Sequence, residues 1–257
     1  MRNIWTIAQK ELRSYFYSPV AYVVLFIFLM VMGLLYSNIV AAVNQASMQM
    51  MRFQGGMGQF NPKEVIFRQS FGNMIIVLLL VMPLLTMRLF TEEKKMKTSE
   101  LLFTSPVTAF EIVFGKFLGV LLLYLLMLVL TFYIPVLISN VTEISWKAVL
   151  SGYLGLLLCG GVFLAWGALA SSLTENQIIS AVISFGFLLS LWIIGFMGQV
   201  FSDTPIGTLL SYLSLISHFE NFTRGLIDTS DIAYGIGMIA LGLFLTYQTV
   251  DSQRWKS

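Results

Sequence analysis

The distribution of charged residues constrains this chain more than any other feature. Of its 257 residues only 11% are charged and 57% are hydrophobic, whereas about a quarter of the residues of an ordinary soluble domain are charged. The charges separate apolar runs that each have room for a membrane-spanning helix of roughly 20 residues. These charge-free runs cover 14–51, 69–87, 117–142, 148–174, 176–202 and 232–250. A soluble globular enzyme and a disordered chain are therefore both excluded.

The six runs predict an all-α membrane protein with six transmembrane helices, forming a single domain over residues 1–257. We place the spans near 20–42, 70–89, 113–138, 148–171, 177–200 and 232–250. The first apolar run is longer than the h-region of a signal peptide, about 7–15 residues, so we expect it to be retained. Two apolar stretches, 206–216 and 218–227, are too short to cross the membrane. They favour short re-entrant or interfacial helices at a membrane edge.

Lysine and arginine are unevenly divided between the two ends of the predicted bundle. One end carries ten of the 15, and the other carries five (Arg52, Lys63, Arg68, Lys147 and Arg224). Because cytoplasmic loops are enriched in these residues, we expect both termini and the 88–116 loop to be cytoplasmic. The net charge of +2 has no clustered basic footprint, so nucleic acid is not an expected partner.

Residues 1–17 predict an amphipathic helix on the membrane surface. Apolar side chains recur there every three or four positions, with Trp5 and Leu12 on one face and Lys10 and Glu11 largely elsewhere. Pro19 then marks a break before the first span.

Groups that perform catalysis are scarce. His218 is the only histidine and Cys159 the only cysteine, and the sequence has no HExxH, GxSxG or P-loop motif. The predicted spans contain no Asp or Glu, which disfavours an ion-coupled carrier. No catalytic or metal-binding residue is therefore assigned. The Met-rich outer segment near Met50 suits apolar packing better than Cu(I) binding, because no His or Cys lies beside it.

The most informative segment lies between the second and third spans. Its charged run, 92–97, is expected to extend the second helix into water, and Pro106 ends a short amphipathic turn. Thr108 and Glu111 have the spacing of a capping box at the start of the next helix. Two interpretations remain open here: a solvated hairpin, or a helix whose apolar side chains bind a cytoplasmic partner.

The sequence of residues 92–116, EEKKMKTSELLFTSPVTAFEIVFGK, resembles the signature of type-2 ATP-binding-cassette (ABC) exporter permeases. Lys97 stands where that family carries glycine. The stretch from Lys10 to Pro19 is similar to the family's interfacial elbow helix. Three further stretches, 171–177, 218–225 and 227–231, are similar to gliding-motility-associated permeases of the GldF type. The matching signature residues are Glu92, Glu93, Thr98, Glu100, Leu101, Leu102, Thr104, Pro106, Gly115 and Lys116.

The resemblance implies a half-transporter in a bacterial cytoplasmic (inner) membrane. It would pair with a second permease subunit, identical or related, and dock on separate ABC ATPase subunits. ATP and Mg would bind those subunits, and no cofactor is expected in this chain. The segment 92–106 would be the coupling element, with Glu100 pairing with basic residues and Leu101 and Leu102 filling an apolar pocket. A protein with a large extracytoplasmic domain is a usual companion in the GldF-type branch.

The resemblance also implies that the 203–230 segment, with His218, Glu220, Arg224 and Asp228, is the outer re-entrant region. For His218 we expect local hydrogen bonding in preference to pH sensing.

Lys116 is expected to snorkel to the lipid headgroups, the alternative being a role in coupling. Gly152, Gly155, Gly160 and Gly161 indicate close helix packing.

Two functions fit the sequence. In the first, ATP hydrolysis by the partner moves a substrate outward, and a charge-free interior suits a lipid-like one. In the second, the same motion is transmitted to an extracytoplasmic partner and nothing crosses the membrane.

Overall fold

The computed structural model describes residues 2–52, 62–97, 107–141, 144–201 and 204–254, and the described backbone is helical without strands. We number its helices α1–α11 in chain order. They are α1 (Arg2–Tyr17), α2 (Pro19–Arg52), α3 (Pro62–Thr86), α4 (Thr91–Lys95), α5 (Ala109–Thr131), α6 (Tyr133–Val141), α7 (Trp146–Leu173), α8 (Gln177–Val200), α9 (Pro205–Leu213), α10 (Leu215–Thr223) and α11 (Thr229–Arg254).

Six stretches of the described chain are long and apolar enough to cross a membrane, which confirms the predicted all-α membrane fold. They are Pro19–Ala46, Ile66–Lys95, Ala109–Ser139, Trp146–Leu173, Gln177–Gly198 and Thr229–Gln253. The third consists of α5 and α6, separated by a break at Phe132. Pro135 has no N–H to continue the helical hydrogen bonds across this point, which accounts for the break.

The expected extension of the second helix through the charged run is wrong. Helix α3 ends at Thr86, residues 87–90 form a turn, and α4 is a separate short helix. The backbone N–H groups of Phe90 and Thr91 donate to Ser171 Oγ at 2.9 and 3.4 Å. A side chain from α7 thus accepts backbone hydrogen bonds at the helix break.

Helix α7 lies at the centre of the bundle and packs closely through its small residues, as the sequence predicts. A Cβ atom on Gly160 would lie 2.3 Å from Tyr124 Cε1, and one on Gly152 would lie 2.4 Å from Phe71 Cε2. Gly155 and Gly161 are similarly crowded, by Phe222 and Ile239. The neighbouring helices therefore approach the backbone of α7 as only glycine permits.

Helices α9 and α10 occupy the region predicted for an outer re-entrant pair. Each has nine residues, about 14 Å of helix, which is too short to cross a bilayer core of about 30 Å. Their depth in the membrane, like the surface position of α1, stays a prediction.

Candidate functional site

A buried ion cluster joins three helices at the end of the bundle that carries the 87–97 segment. Lys116 Nζ of α5 lies 2.8 Å from Glu93 Oε1 of α4 and 3.7 Å from Glu11 Oε2 of α1. The same ammonium donates to the carbonyl oxygen of Leu89 and lies 5.2 Å from the centroid of the Phe90 ring. We call Lys116, Glu93 and Glu11 the ion cluster.

The prediction that Lys116 snorkels to the headgroups is wrong. Its side chain is only 4% exposed, because it finds anionic and carbonyl partners inside the protein. The expectation that Glu11 lies off the apolar face of α1 is also wrong. Glu11 lies on the face of α1 that packs against α5, where it contacts Lys116. Both partners are distant from Lys116 in sequence, and helical periodicity gives no signal for such pairs.

Helix α1 reaches the cluster because α5 presents glycine to it. A Cβ on Gly115 would lie 2.8 Å from Ile7 Cβ, and one on Gly119 would lie 2.7 Å from Glu11 Cβ. Glu11 is thereby held against Lys116. On the rest of the helix Leu12 packs against the core, whereas Trp5 and Lys10 are exposed.

The charges of the cluster are unequal, because one ammonium faces two carboxylates. Burial raises the pKa of the Glu11 carboxyl above its ordinary value, although the nearby Lys116 acts in the opposite direction. Glu93 holds the shorter contact to Lys116. Lys116 therefore faces one carboxylate at salt-bridge distance on α4 and a second, more buried one on α1.

A second set of hydrogen bonds anchors the same segment to the end of α7. Lys94 Nζ donates to the carbonyl oxygen of Ser172, and Gln253 Nε2 of α11 donates to the same oxygen at 3.2 Å. Tyr15 Oη of α1 donates to the Leu85 carbonyl at 2.6 Å. The start of the 92–106 segment is therefore held directly by α5 and α7, and α1 and α11 bond to its partners Lys116 and Ser172.

The capping box predicted at the start of the third span is confirmed. Glu111 N donates to Thr108 Oγ1 at 3.2 Å, and Thr108 N donates to Glu111 Oε2 at 3.0 Å. Asn3 Nδ2 of α1 donates to the other carboxylate oxygen of Glu111 at 3.1 Å. Helix α1 is thus bound to the point where the chain re-enters the bundle as well as to the point where it leaves.

The described residues include only part of the predicted coupling element. Glu92 is exposed and Glu93 belongs to the ion cluster. The other predicted coupling residues lie outside the described residues, namely Thr98, Glu100, Leu101, Leu102, Thr104 and Pro106.

Lys97 ends α4 in a conformation that favours glycine. Its φ is +54°, in the left-handed region, and its N–H donates to the Lys94 carbonyl at 3.1 Å. A side chain at such a φ costs about 1–2 kcal/mol. Glycine adopts such a φ without this cost, and this chain adopts it with lysine.

At the opposite end of the bundle, a buried carboxylate ties α10 to α11. His218 Nδ1 lies 2.6 Å from Asp231 Oδ1, and Asn221 Nδ2 donates to Asp231 Oδ2 at 3.0 Å. His218 Nε2 lies 3.1 Å from the Tyr212 carbonyl oxygen, and the ring stacks on Tyr234 at 4.2 Å. The expected local hydrogen bonding of His218 is confirmed, but no pattern in the sequence indicates Asp231 as its partner.

The other residues predicted for the outer region are exposed or half-buried. Arg224 Nη2 lies 3.4 Å from Glu220 Oε2. Asp228 Oδ1 accepts from the backbone N–H of Ser230 at 3.1 Å, and this hydrogen bond lowers the pKa of the Asp228 carboxyl.

A family model described as ABC-2 family transporter protein matches residues 5–250, nearly the whole chain. The chain belongs to the ABC-2 transporter family. It is therefore a multi-pass membrane protein and a permease subunit of an ABC transporter, of a family whose permeases work with an ABC ATPase subunit. No curated protein gives a significant match. In this ABC-2 permease, within the described ranges, no group of three or more His, Cys, Asp and Glu residues is placed to hold a metal.

Replacing Lys116 tests the ion cluster. Lys116→Met leaves two carboxylates without their cation, so we expect the free energy of unfolding in detergent to fall by about 2 kcal/mol. This is below the usual cost of breaking a buried pair, because Glu11 and Glu93 remain 16% and 23% exposed. The triple variant Lys116→Met, Glu11→Gln and Glu93→Gln should recover at least half of the loss. An unchanged unfolding midpoint in Lys116→Met would show that the cluster contributes nothing.

Replacing Lys97 tests the turn after α4. Lys97→Gly should raise the free energy of unfolding by about 0.5–1 kcal/mol, because glycine adopts a positive φ without steric cost. Lys95→Gly is the charge-matched control, and it should lower stability slightly, because Lys95 is the last residue of α4 and glycine disfavours the helical conformation. Unfolding midpoints in one detergent compare the two. A loss of stability in both variants would contradict the left-handed turn.

Proposed function

We propose that this ABC-2 permease couples ATP hydrolysis by a separate ATPase subunit to export of a lipid-like substrate. The ion cluster carries this proposal: it ties α4, at the start of the 92–106 coupling segment, to α1 and α5. An ATPase that displaces the segment would pull on the bundle through Lys116 and its two carboxylates. The proposed membrane is the bacterial cytoplasmic membrane.

The geometry of both ends of the loop supports transmission of force. Before the loop, α4 is fixed by Lys116 and by the Ser172 carbonyl. After it, Thr108 and Glu111 cap α5 and bond to Asn3. Both ends of the segment are thus connected to α1, so a movement of the segment reaches α1, α4 and α5 as one unit.

The proposed orientation has this end in the cytoplasm, together with both termini. Hydrogen bonds from Lys94 and from Gln253, near the C-terminus, converge on the Ser172 carbonyl, and Asn3 bonds to Glu111. Asn3 and Gln253, near the two ends of the described chain, therefore lie at the same end of the bundle as the 87–97 segment. The excess of Lys and Arg on that side favours the cytoplasmic assignment.

The remaining parts of the proposal rest on composition and resemblance. The middles of the spans carry no Asp or Glu, which favours an apolar substrate. The GldF-type resemblance suggests a second permease subunit and a companion with a large extracytoplasmic domain. A role in gliding motility would follow from that branch.

The docking prediction is tested with the double variant Glu100→Ala and Leu101→Ala. We expect it to lose co-purification with its ABC ATPase partner, or the stimulated ATP turnover of that partner, while still inserting in the membrane. Leu226→Ala with Asp228→Ala removes one exposed apolar and one exposed acidic side chain at the opposite end and should leave both properties intact. Wild-type ATPase binding and turnover in the first variant would refute the coupling assignment.

Export is tested in vesicles that contain the reconstituted permease–ATPase complex and fluorescent lipid. ATP should move lipid between leaflets, and Lys116→Met should reduce this movement more than it reduces ATP hydrolysis, because the cluster links the two. Lipid movement that does not depend on ATP would refute export. Normal ATP turnover without lipid movement, with a co-purifying extracytoplasmic protein, would instead support mechanical transmission to that protein.

A further inference from the structure

An amphipathic pocket opens at the end of the bundle opposite the ion cluster. It lies between α3, α8 and α10 and has a volume of about 310 Å³, at the lower end of the usual range for ligand sites, about 300–1,000 Å³. Its walls include Arg68, Gly72, Ile76, Trp192, Phe196 and Glu220. We call it the outer pocket.

Two arginines lie at the polar edge of the outer pocket: Arg68 lines it, and Arg224 contacts Glu220, which also lines it. Arg68 Nη2 and Arg224 Nη2 lie 3.5 and 3.4 Å from the same atom, Glu220 Oε2. Both arginine side chains are about half exposed. Two guanidinium groups share one carboxylate, which leaves a net charge of +1 among these three side chains. A guanidinium has five N–H donors, so both arginines retain capacity for an anionic ligand.

The interior of the outer pocket is apolar and has free space. Ile76 and Phe196 are 49% and 59% exposed, although they lie in membrane-spanning segments. A Cβ atom on Gly72 would meet no other atom within 4 Å. An acyl chain can therefore lie along this wall without displacing protein atoms.

The outer pocket lies beside the ends of two membrane-spanning segments. Arg68 is near Ile66, where the second apolar span begins, and Trp192 and Phe196 come just before Gly198, where the fifth one ends. Tryptophan is enriched at this boundary between hydrocarbon and water. The order of groups, cationic at the rim and apolar below, is that of an anionic lipid.

We propose that the outer pocket binds an anionic membrane lipid, with its headgroup at Arg68 and Arg224 and one acyl chain against Ile76 and Phe196. The lipid need not be exported, so this site is separate from the proposed transport function. A second copy of the chain covering the pocket is the competing occupant.

The site is tested by fluorescence quenching in phosphatidylcholine nanodiscs that contain the full chain. Two preparations are compared, which contain the same small fraction of lipid with brominated acyl chains, either phosphatidylglycerol or phosphatidylcholine. The fluorescence of Trp192 is obtained by subtracting the signal of the Trp192→Phe variant. We expect brominated phosphatidylglycerol to quench Trp192 with an apparent preference of roughly fivefold, for one net charge near the surface.

Two variants remove the two halves of the site. Arg68→Gln with Arg224→Gln should abolish the preference for phosphatidylglycerol, whereas Lys147→Gln, which removes a cation at the same end outside the pocket, should keep it. Gly72→Leu fills the apolar part, leaves the arginines in place and should abolish quenching of Trp192. Gly186→Leu is its control, since Gly186 lies in α8, also faces open space and does not line the pocket.

Three results would overturn the inference. The first is equal quenching by the two brominated lipids, and the second is a preference that survives the double arginine variant. The third is no quenching of Trp192 by either lipid, which would indicate that a second copy of the chain covers the pocket. If the arginine variant does not fold, the test depends on Gly72→Leu. This variant is expected to fold, because leucine has a higher helix propensity than glycine inside a helix.

Discussion

The burial of one ammonium group organises the charged end of this permease. An unpaired ammonium in an apolar interior would cost several kcal/mol, so Lys116 requires anionic partners within reach. These partners are Glu11 of α1 and Glu93 of α4. The backbone of α5 has no anionic group that could take their place. The glycines of α5 let α1 approach, and the helix break after α3 places Glu93. Both features therefore bring a carboxylate to the buried ammonium group of Lys116.

The fold follows from the sequence to the extent that it depends on periodic or local signals. Apolar length gives the six spans, and Thr108 and Glu111 give the start of α5. The ion cluster depends on residues far apart in sequence, Glu11, Glu93 and Lys116, whose contact is set by how helices pack. Lys116 at the start of a span looks the same in sequence whether it reaches water or a buried carboxylate.

The break after α3 is a second feature that local sequence signals do not predict. The charged run beginning at Glu92 has good helical propensity, and nothing local to it ends the helix. The helix ends because Ser171, on another helix, accepts the N–H groups of Phe90 and Thr91. Tertiary hydrogen bonding overrides helix propensity here. A serine in an apolar span does not by itself indicate that its hydroxyl accepts backbone hydrogen bonds from another helix.

Helix α3 gives the two ends of the molecule a common element. It begins beside the outer pocket, where Arg68 lies, and ends at Thr86, immediately before the turn that leads to the ion cluster. From Arg68 to Thr86 the helix rises through 18 residue steps, about 27 Å. A ligand at one end shifts the other only if its contacts differ between two positions of this helix. At the outer end the exposed walls of the pocket leave space beside α3, whereas at the other end Ser171 and Lys116 form hydrogen bonds to the turn that follows it.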